Sequence, residues 1–318
     1  MIVVLSGGSG GAKFVDGLRR VVPPEDLTII VNTGDDHDWW GLHVSPDLDS
    51  ITYVLAGMLS GERGWGIRGD TFYCLQAMKE LGEPVWFSVG DRDLATHVFR
   101  TKLLCSGRTL TEATQIIAQR LNLASRILPM SNMRVETRVD TPSGEFSFEE
   151  YFVQRWYQDP VNAVRFAGSS VSKPAPGVLD AIACAQVVLL APSNPVTSIG
   201  PILAVPGIRG ALAKTSASIV AVSPIIGHAA VSGPAANLMA SQQLEVSIAG
   251  IAEAYRDFLD ILIAHDSDSA AAETLSSDHF QVRCTNILMR TSEDKARIAR
   301  FALDLALPKH AAFTVEVE

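Results

Sequence analysis

Residues 1–14, MIVVLSGGSGGAKF, decide the fold. A short β-rich apolar run, MIVVL (1–5), leads into a glycine loop and then a helix-like segment over 12–21. A second apolar run, LTIIVN (27–32), follows it. Strand, glycine loop, helix and strand make a βαβ unit, which predicts a parallel sheet. The pattern returns in the second half, where QVVLLAP (186–192) and SIVAVSP (218–224) read as strands and 199–213 and 234–258 as helices. These strand candidates are continuously apolar rather than alternating, as strands covered on both faces are.

Between the halves the text changes. Segments 70–82 and 93–121 read as helical, with Leu94, Val98 and Thr101, then Leu110, Ala113, Ile117 and Leu121, at helical spacing. They predict a helical cap over about 60–125. Residues 134–148 alternate and turn at Pro142-Ser143-Gly144, a hairpin signature within an excursion over about 134–177. Residues 169–185 begin as a loop and become a helix, and 292–306 read as an amphipathic helix opened by Ser292. The expected fold is a single α/β domain over 1–318. It is three-layered and Rossmann-like, with a mainly parallel sheet, a helical cap and a small β-hairpin excursion.

Composition narrows the function classes. A chain of 318 residues that is 47% hydrophobic can bury a large core. Its net charge of −9 argues against a nucleic-acid partner, whose footprint is basic. No apolar run approaches the roughly 20 residues of a membrane span, and the N-terminus lacks a signal peptide's basic start, so a cytoplasmic protein without a membrane partner is expected. Cys74, Cys105, Cys184 and Cys284 lie far apart with no CxxC pair, which predicts buried, reduced thiols.

The glycine loop fits no standard template. Counted from Gly8, the third glycine of a dinucleotide fingerprint falls on Lys13, so a nicotinamide-dependent oxidoreductase rests on a partial motif alone. Counted from Gly7, a P-loop would end in Ala12-Lys13-Phe14, without the hydroxyl that holds magnesium. The shared physics survives: open backbone N–H groups at a helix N-terminus favour a phosphate, and Lys13 adds a point charge. Gly7, Gly8, Ser9, Gly10, Gly11 and Lys13 are therefore candidate phosphate contacts. The competing reading is a turn whose glycines serve only steric ends.

A second loop, TGDDHDWWGLHVSPDLDS (33–50), also follows a strand end and should face the first. It carries Asp35, Asp36, Asp38, Asp47 and Asp49. Carboxylates beside a phosphate site need a cation between them, and Mg²⁺ bridges carboxylates and phosphate oxygens in this way. The alternative is that Asp47 or Asp49 caps a helix at 50–60. His37 and His43 lack a third ligand of zinc type.

Six blocks, GGSGGAK (7–13), NTGDD (32–36), PDLDS (46–50), GDRDLATH (90–97), KPAPGVLDAI (173–182) and APSNPVTSIGPIL (191–203), resemble in their order the CofD family. Its best-known members are 2-phospho-L-lactate transferases of coenzyme F420 biosynthesis. The resemblance covers about residues 1–230. It implies a transferase of a substituted phosphate group. The donor is a three-carbon acid (2-phospholactate, phosphoenolpyruvate or phosphoglycerate) joined through a diphosphate to GMP, a GDP-type molecule. The acceptor is the ribityl hydroxyl of the deazaflavin FO; GMP leaves, and F420-0 or its dehydro form results.

The resemblance also implies Mg²⁺ and a homodimer acting on small molecules. It places Asp49, Asp36 and Arg92 at the chemistry, and Asp35, Asp36 and Asp49 at the metal. Asp49, Arg92, His97 and Trp40 would meet the acceptor, with Trp39 and Trp65 as further stacking candidates. Ser193 and Asn194 after a third strand end would take the guanosine, and Lys173 a phosphate. A simple Arg92–aspartate pair capping helix 94–104, and a plain turn at 192–195, are the bland alternatives. The stretch HDWWGLHV (37–44) varies within the family, so acceptor contacts there do not carry over. A rival branch, the gluconeogenesis-factor-like regulators that bind nucleotide sugars, shares the glycine and NTGDD motifs; GDRDLATH and PDLDS argue for the enzyme branch.

Overall fold

The computed structural model describes residues 1–307. Strand β1 (Ile2–Ser6) enters helix α1 (Gly8–Leu18) and then β2 (Leu27–Val31). A hairpin of β3 (His37–Trp39) and β4 (Leu42–Val44) leads to α2 (Pro46–Leu55). Helices α3 (Tyr73–Glu80), α4 (Asp91–Cys105) and α5 (Leu110–Arg120) then precede β5 (Arg126–Pro129). The excursion is a three-stranded antiparallel sheet of β6 (Glu136–Thr141), β7 (Gly144–Ser147) and β8 (Ala163–Ala167), with a π-helical turn at Glu150–Gln154.

The chain returns to the main sheet through α6 (Val178–Ala183), β9 (Val187–Leu190), α7 (Gly200–Ala204), α8 (Ile208–Leu212) and β10 (Ser218–Val222). A small hairpin, β11 (Ile225–Ile226) and β12 (Ala229–Ala230), is followed by α9 (Ala235–Ser241), α10 (Ile248–Ala254) and β13 (Ile261–Ala264). Helix α11 (Ser269–Leu275), β14 (Gln281–Cys284) and α12 (Ser292–Ala306) complete the described chain.

Seven strands pair in the order β14-β13-β10-β9-β1-β2-β5, all parallel. Every residue of β1, β2 and β9 is buried, as double coverage requires. The order runs outward in both directions from β1, so the crevice between the β1 and β9 ends is a topological switch point where such sheets bind ligands. The α/β expectation therefore holds, and the hairpin at 134–148 becomes two strands of the antiparallel sheet.

Several boundaries differ from the sequence reading. Helix α1 starts at Gly8, so GSGG forms its first turn rather than a loop. Helix α2 starts at Pro46 after Ser45, which places Asp47 and Asp49 inside its first turn and not as caps of a helix at 50–60. The segments 199–213 and 234–258 each break into two short helices. The last helix is opened by Thr291, not Ser292, in a capping box with Asp294. The four cysteines are free thiols, as expected, but they are not buried as expected: Cys105 and Cys184 are exposed, and Cys74 and Cys284 are partly exposed.

Glycine geometry explains the close approach of α1 to the sheet. A Cβ on Gly10 would collide with the Pro192 carbonyl oxygen, and one on Gly11 with the Ser6 and Ser193 hydroxyls. The Ser193 hydroxyl also donates to the Gly7 carbonyl at 2.7 Å, tying the β9 loop to the start of α1. Gly10→Ala should therefore destabilise the fold, because overpacking costs about 1–3 kcal/mol against less than about 1 kcal/mol of helix propensity gained. The urea midpoint measures this, and an unchanged midpoint would mean that the α1–β9 approach is slack.

Candidate active site

At the carboxyl end of β2, the Asn32 side chain joins the acidic loop, α2 and the loop after β9. Its Nδ2 donates to Asp35 Oδ2 and to Asp47 Oδ2, both at 2.9 Å, and to the Thr197 carbonyl at 3.3 Å. Its Oδ1 accepts from the Gly34 N–H at 2.8 Å. Asp47 Oδ1 in turn accepts the Gly8 N–H at 2.6 Å, so a carboxylate of the chain itself stands at the N-terminus of α1. A Cβ on Gly7 would lie 2.7 Å from Asp47 Oδ2, which is why this position takes glycine.

Around this hub acidic side chains gather. Asp35, Asp36, Asp47 and Glu149 are all buried. Burial, and then the charges of Asp47 and Glu149, hold the Asp35 carboxyl well above its usual range. Burial pushes Asp47 up to about 6, against hydrogen bonds from Asn32 and Gly8. Glu149 is pushed up to about 8 by burial and by the charges of Asp47 and Asp36. Glu149 reaches the site from the antiparallel excursion, which is clamped to the acidic loop by the Thr137 N–H donating to the Gly34 carbonyl at 2.7 Å. Asp36 accepts from the Ser45 hydroxyl at 2.7 Å and contacts His43 Nε2 at 3.0 Å, both through Oδ2.

Asp49 belongs to a different cluster. Both of its oxygens are held by the two terminal nitrogens of Arg100, one of them at 3.1 Å, and the guanidinium is 2% exposed. His97 Nδ1 lies 3.4 Å from Asp49 Oδ2, and the Tyr53 hydroxyl donates to Asp93 at 2.7 Å. Burial pulls His97 down to about 4, so the ring is neutral at pH 7; burial and the charge of Asp49 push Asp93 up to about 7. The buried residues of α4 are Asp93, His97 and Arg100, spaced four and three apart on one face. Of the apolar face expected at Leu94, Val98 and Thr101, only Val98 points outward, at 50% exposed; Leu94 packs against the cluster of Trp39, Val44 and Val89, and the Thr101 hydroxyl accepts the His43 N–H.

The remaining predicted residues fall as follows. Lys13 and Ser9 are exposed near the start of α1. Arg92 is exposed and forms no ion pair among the described residues; its guanidinium donates to the Arg68 carbonyl at 3.4 Å, while Asp70 rather than Arg92 caps α4. Trp39 is buried in an aromatic cluster with Trp86 and Phe87, which accounts for it as packing. Trp40 turns the β3–β4 hairpin with φ 51°, followed by Gly41 at φ 78°, and its indole N–H donates to the Pro84 carbonyl. Trp65 packs edge-on to Phe72. Asn194 Oδ1 accepts from the Val196 N–H at 2.9 Å, and Lys173 is exposed with its carbonyl bound to the Ser131 hydroxyl.

Sequence reasoning missed Asn32, Glu149, Asp93, Tyr53 and Arg100. A polar stripe at 93, 97 and 100 was the available signal for α4. Two sites for a cation can be weighed. Asp35 Oδ1 and Asp36 Oδ1 are buried without a hydrogen-bond partner among the described residues, which suits a hard divalent cation. Asp49, Asp93 and His97 bring ligand atoms within 4.8 Å of one another, but Arg100 already neutralises Asp49, so a cation there would meet a positive charge.

A parallel sheet whose switch point joins a glycine-built helix N-terminus to unpaired carboxylates defines a phosphate-handling protein of the Rossmann-like class. More closely, the chain belongs to the CofD family, matching the family described as 2-phospho-L-lactate transferase CofD over residues 2–299. It is 42% identical to a phosphoenolpyruvate transferase of Streptomyces griseus subsp. griseus, over 96% of this chain and 98% of the relative. It is 40% identical to a 2-phospho-L-lactate transferase of Methanococcoides burtonii, over 92% and 95%. A solved protein of the UPF0052 family from Bacillus halodurans shares the fold, with a TM-score of 0.62 at 16% identity over 95% of this chain and 98% of that one. The resemblance in the six blocks is thereby borne out and extends past residue 230.

Two outcomes test the electrostatics. Arg100→Met leaves Asp49 buried and uncompensated and should cost about 3–5 kcal/mol of stability, part of it regained when Asp49→Asn is added. Equal unfolding midpoints for the single and double variants would contradict the pairing. For Glu149 the sign is opposite to that of an ordinary ion-paired acid. Its folded value of about 8 lies above the ordinary 4.5, so its contribution is full below pH 4.5 and is lost as pH rises through 8. In chelator-treated buffer, Glu149→Gln should gain melting temperature over wild type between pH 5 and 9. A constant difference across that range would refute the burial argument.

Proposed function

We propose that this chain is a transferase of coenzyme F420 biosynthesis. It moves a phosphorylated three-carbon acid from a GMP-linked diphosphate donor to the ribityl hydroxyl of FO, releasing GMP. The observation that carries this reading is the meeting, at the ends of β1 and β2, of the α1 N-terminus with two buried aspartates that each keep an oxygen free. Relatives of both names are about equally similar, at 42% and 40%, so the reading covers 2-phospholactate, phosphoenolpyruvate and phosphoglycerate. It includes action as a cytoplasmic homodimer; no helix among the described residues is long and apolar enough to cross a membrane.

Phosphoryl transfer is mainly positioning and charge neutralisation. The open amides of the first α1 turn and the exposed Lys13 hold the donor's diphosphate, while Lys173 and Arg92 are further cations for phosphate or acceptor. Asp35 and Asp36 would hold Mg²⁺, which when bound neutralises charge on the phosphate oxygens. The hydroxyl oxygen of FO bonds to phosphorus as the bond from phosphorus to the GMP oxygen breaks. The hydroxyl proton passes to Asp36 at Oδ2, the oxygen not offered to the cation, which contacts the half-buried His43 and so has a route to solvent. Asp49, with both oxygens held by Arg100, positions α2 against the cap instead of taking the proton. His97 is buried behind it, which leaves Trp40 and Arg92 as the surface residues toward the acceptor.

The test is GMP release and product mass with FO, Mg²⁺ and each donor in turn. Asp36→Asn should lower turnover by about 10²–10⁴-fold, the range of general-base catalysis, with FO binding by fluorescence retained. Binding of UDP-sugars together with indifference to FO would overturn the reading in favour of a regulator.

A further inference from the structure

Helix α1 is capped from outside itself. Its N-cap residue, Gly7, has no side chain to offer, and its backbone is extended at φ −163°, a conformation any residue adopts. The cap is Asp47, 39 residues away in the first turn of α2, whose Oδ1 accepts the Gly8 N–H at 2.6 Å. A Cβ on Gly7 would strike Asp47 Oδ2 and the Asn32 Cβ, so the glycine makes room for this carboxylate rather than for a turn. A serine or aspartate at the N-cap itself would satisfy the helix permanently. A cap borrowed from a second helix can be displaced or compensated.

Other polar groups here are unfinished as well. Ser6 and Thr197 are fully buried, and their hydroxyls have no partner among the described residues. The Ser6 hydroxyl faces the first turn of α1, where a Cβ on Gly11 would meet it. Asp35 and Asp36 each keep Oδ1 without a partner. Buried polar groups left in this way are costly unless a ligand supplies what they lack.

We propose that Asp47 is an electrostatic gate: its carboxylate stands at α1 where a phosphate oxygen would, so that a diphosphate is admitted only together with a divalent cation. The gate rests on the diphosphate role given to α1 above and deepens it. The Gly8 amide cannot serve Asp47 and a phosphate oxygen in the same place. A second anion brought to that helix end also meets a carboxylate that is 7% exposed and therefore weakly screened. Asn32 links the gate to the cation. Its Nδ2 donates to Asp47 Oδ2 and Asp35 Oδ2 alike, at 2.9 Å each, so the two carboxylates lie within one amide's reach of each other. A cation held by the unpartnered oxygens of Asp35 and Asp36 would offset the Asp47 charge from that side. Asp49, two residues further along α2, already has Arg100 as its counter-charge and takes no part.

The probe is inorganic pyrophosphate, titrated calorimetrically at pH 8 into the full chain in chelator-treated buffer, and again with Mg²⁺. Wild type should bind it at least tenfold more tightly with Mg²⁺. Asp47→Asn keeps an acceptor for the Gly8 N–H, and Asp47→Ala removes the group. Both should bind pyrophosphate at least tenfold more tightly than wild type without the cation, and gain less from Mg²⁺. A residue that merely capped α1 would act otherwise: its loss would lower the melting temperature and leave cation-free binding no better. Cation-free binding unimproved in both variants, or wild type indifferent to Mg²⁺, overturns the gate and leaves the diphosphate reading standing. Wild type that ignores pyrophosphate under both conditions overturns the phosphate role of α1 and the gate together.

Discussion

A single side-chain amide holds three segments of the site in register. Asn32 donates to the acidic loop at Asp35, to the first turn of α2 at Asp47 and to the β9 loop at Thr197, and accepts from Gly34. Its own backbone N–H is bound to the Ser6 carbonyl at the end of β1. Four elements thus converge on one residue whose polar atoms are all satisfied inside the fold, the condition under which a buried polar network rigidifies a structure. Asp47 is thereby fixed at the α1 N-terminus, where the helix dipole favours negative charge. In a liganded state, donor phosphate and Asp47 would compete for the same positive end. The elevated pKa of Asp47 is relevant to that competition, because a protonated Asp47 repels an incoming phosphate less.

Two buried acid clusters lie side by side and are treated oppositely. Around Asp49 the charge is balanced by Arg100. Around Asp35, Asp36, Asp47 and Glu149 no lysine or arginine forms an ion pair among the described residues, and burial holds the Asp35, Asp47 and Glu149 carboxyls above their usual range. Such an imbalance is costly to the fold and is the kind of local conflict found at functional sites. Asp36 sits between the two clusters, its field acting on Asp47 and Glu149 on one side and on Arg100 on the other.

The sheet centre was legible in the sequence because β1, β2, β9 and β10 are continuous apolar runs, a pattern that only double coverage explains. Strands β5, β13 and β14 escaped notice: RILP, ILIA and QVRC are four residues each, and the two at the sheet edges are partly exposed and carry polar residues. The start of α1 was misread because glycine carries no periodic signal, so the helix became visible only at Ala12. The acidic loop was legible as chemistry, yet its division into two clusters was not. That division depends on Arg100, 51 residues from Asp49, and on Glu149, brought in by antiparallel pairing of the excursion. Apolar spacing found only part of the inner side of α4, because Asp93, His97 and Arg100 fill the rest and a helix that covers a polar site carries polar residues inward.

A polar inner face on α4 has a mechanical meaning for the cap. A lid that opens and shuts repeatedly separates surfaces that water can wet cheaply. Helix α4 instead meets α2 through a guanidinium bolted to a carboxylate, with a neutral imidazole and a phenol-bound acid beside it, all out of solvent. Swinging α4 away would strand opposite charges in the act of parting, so this part of the cap is a fixed wall.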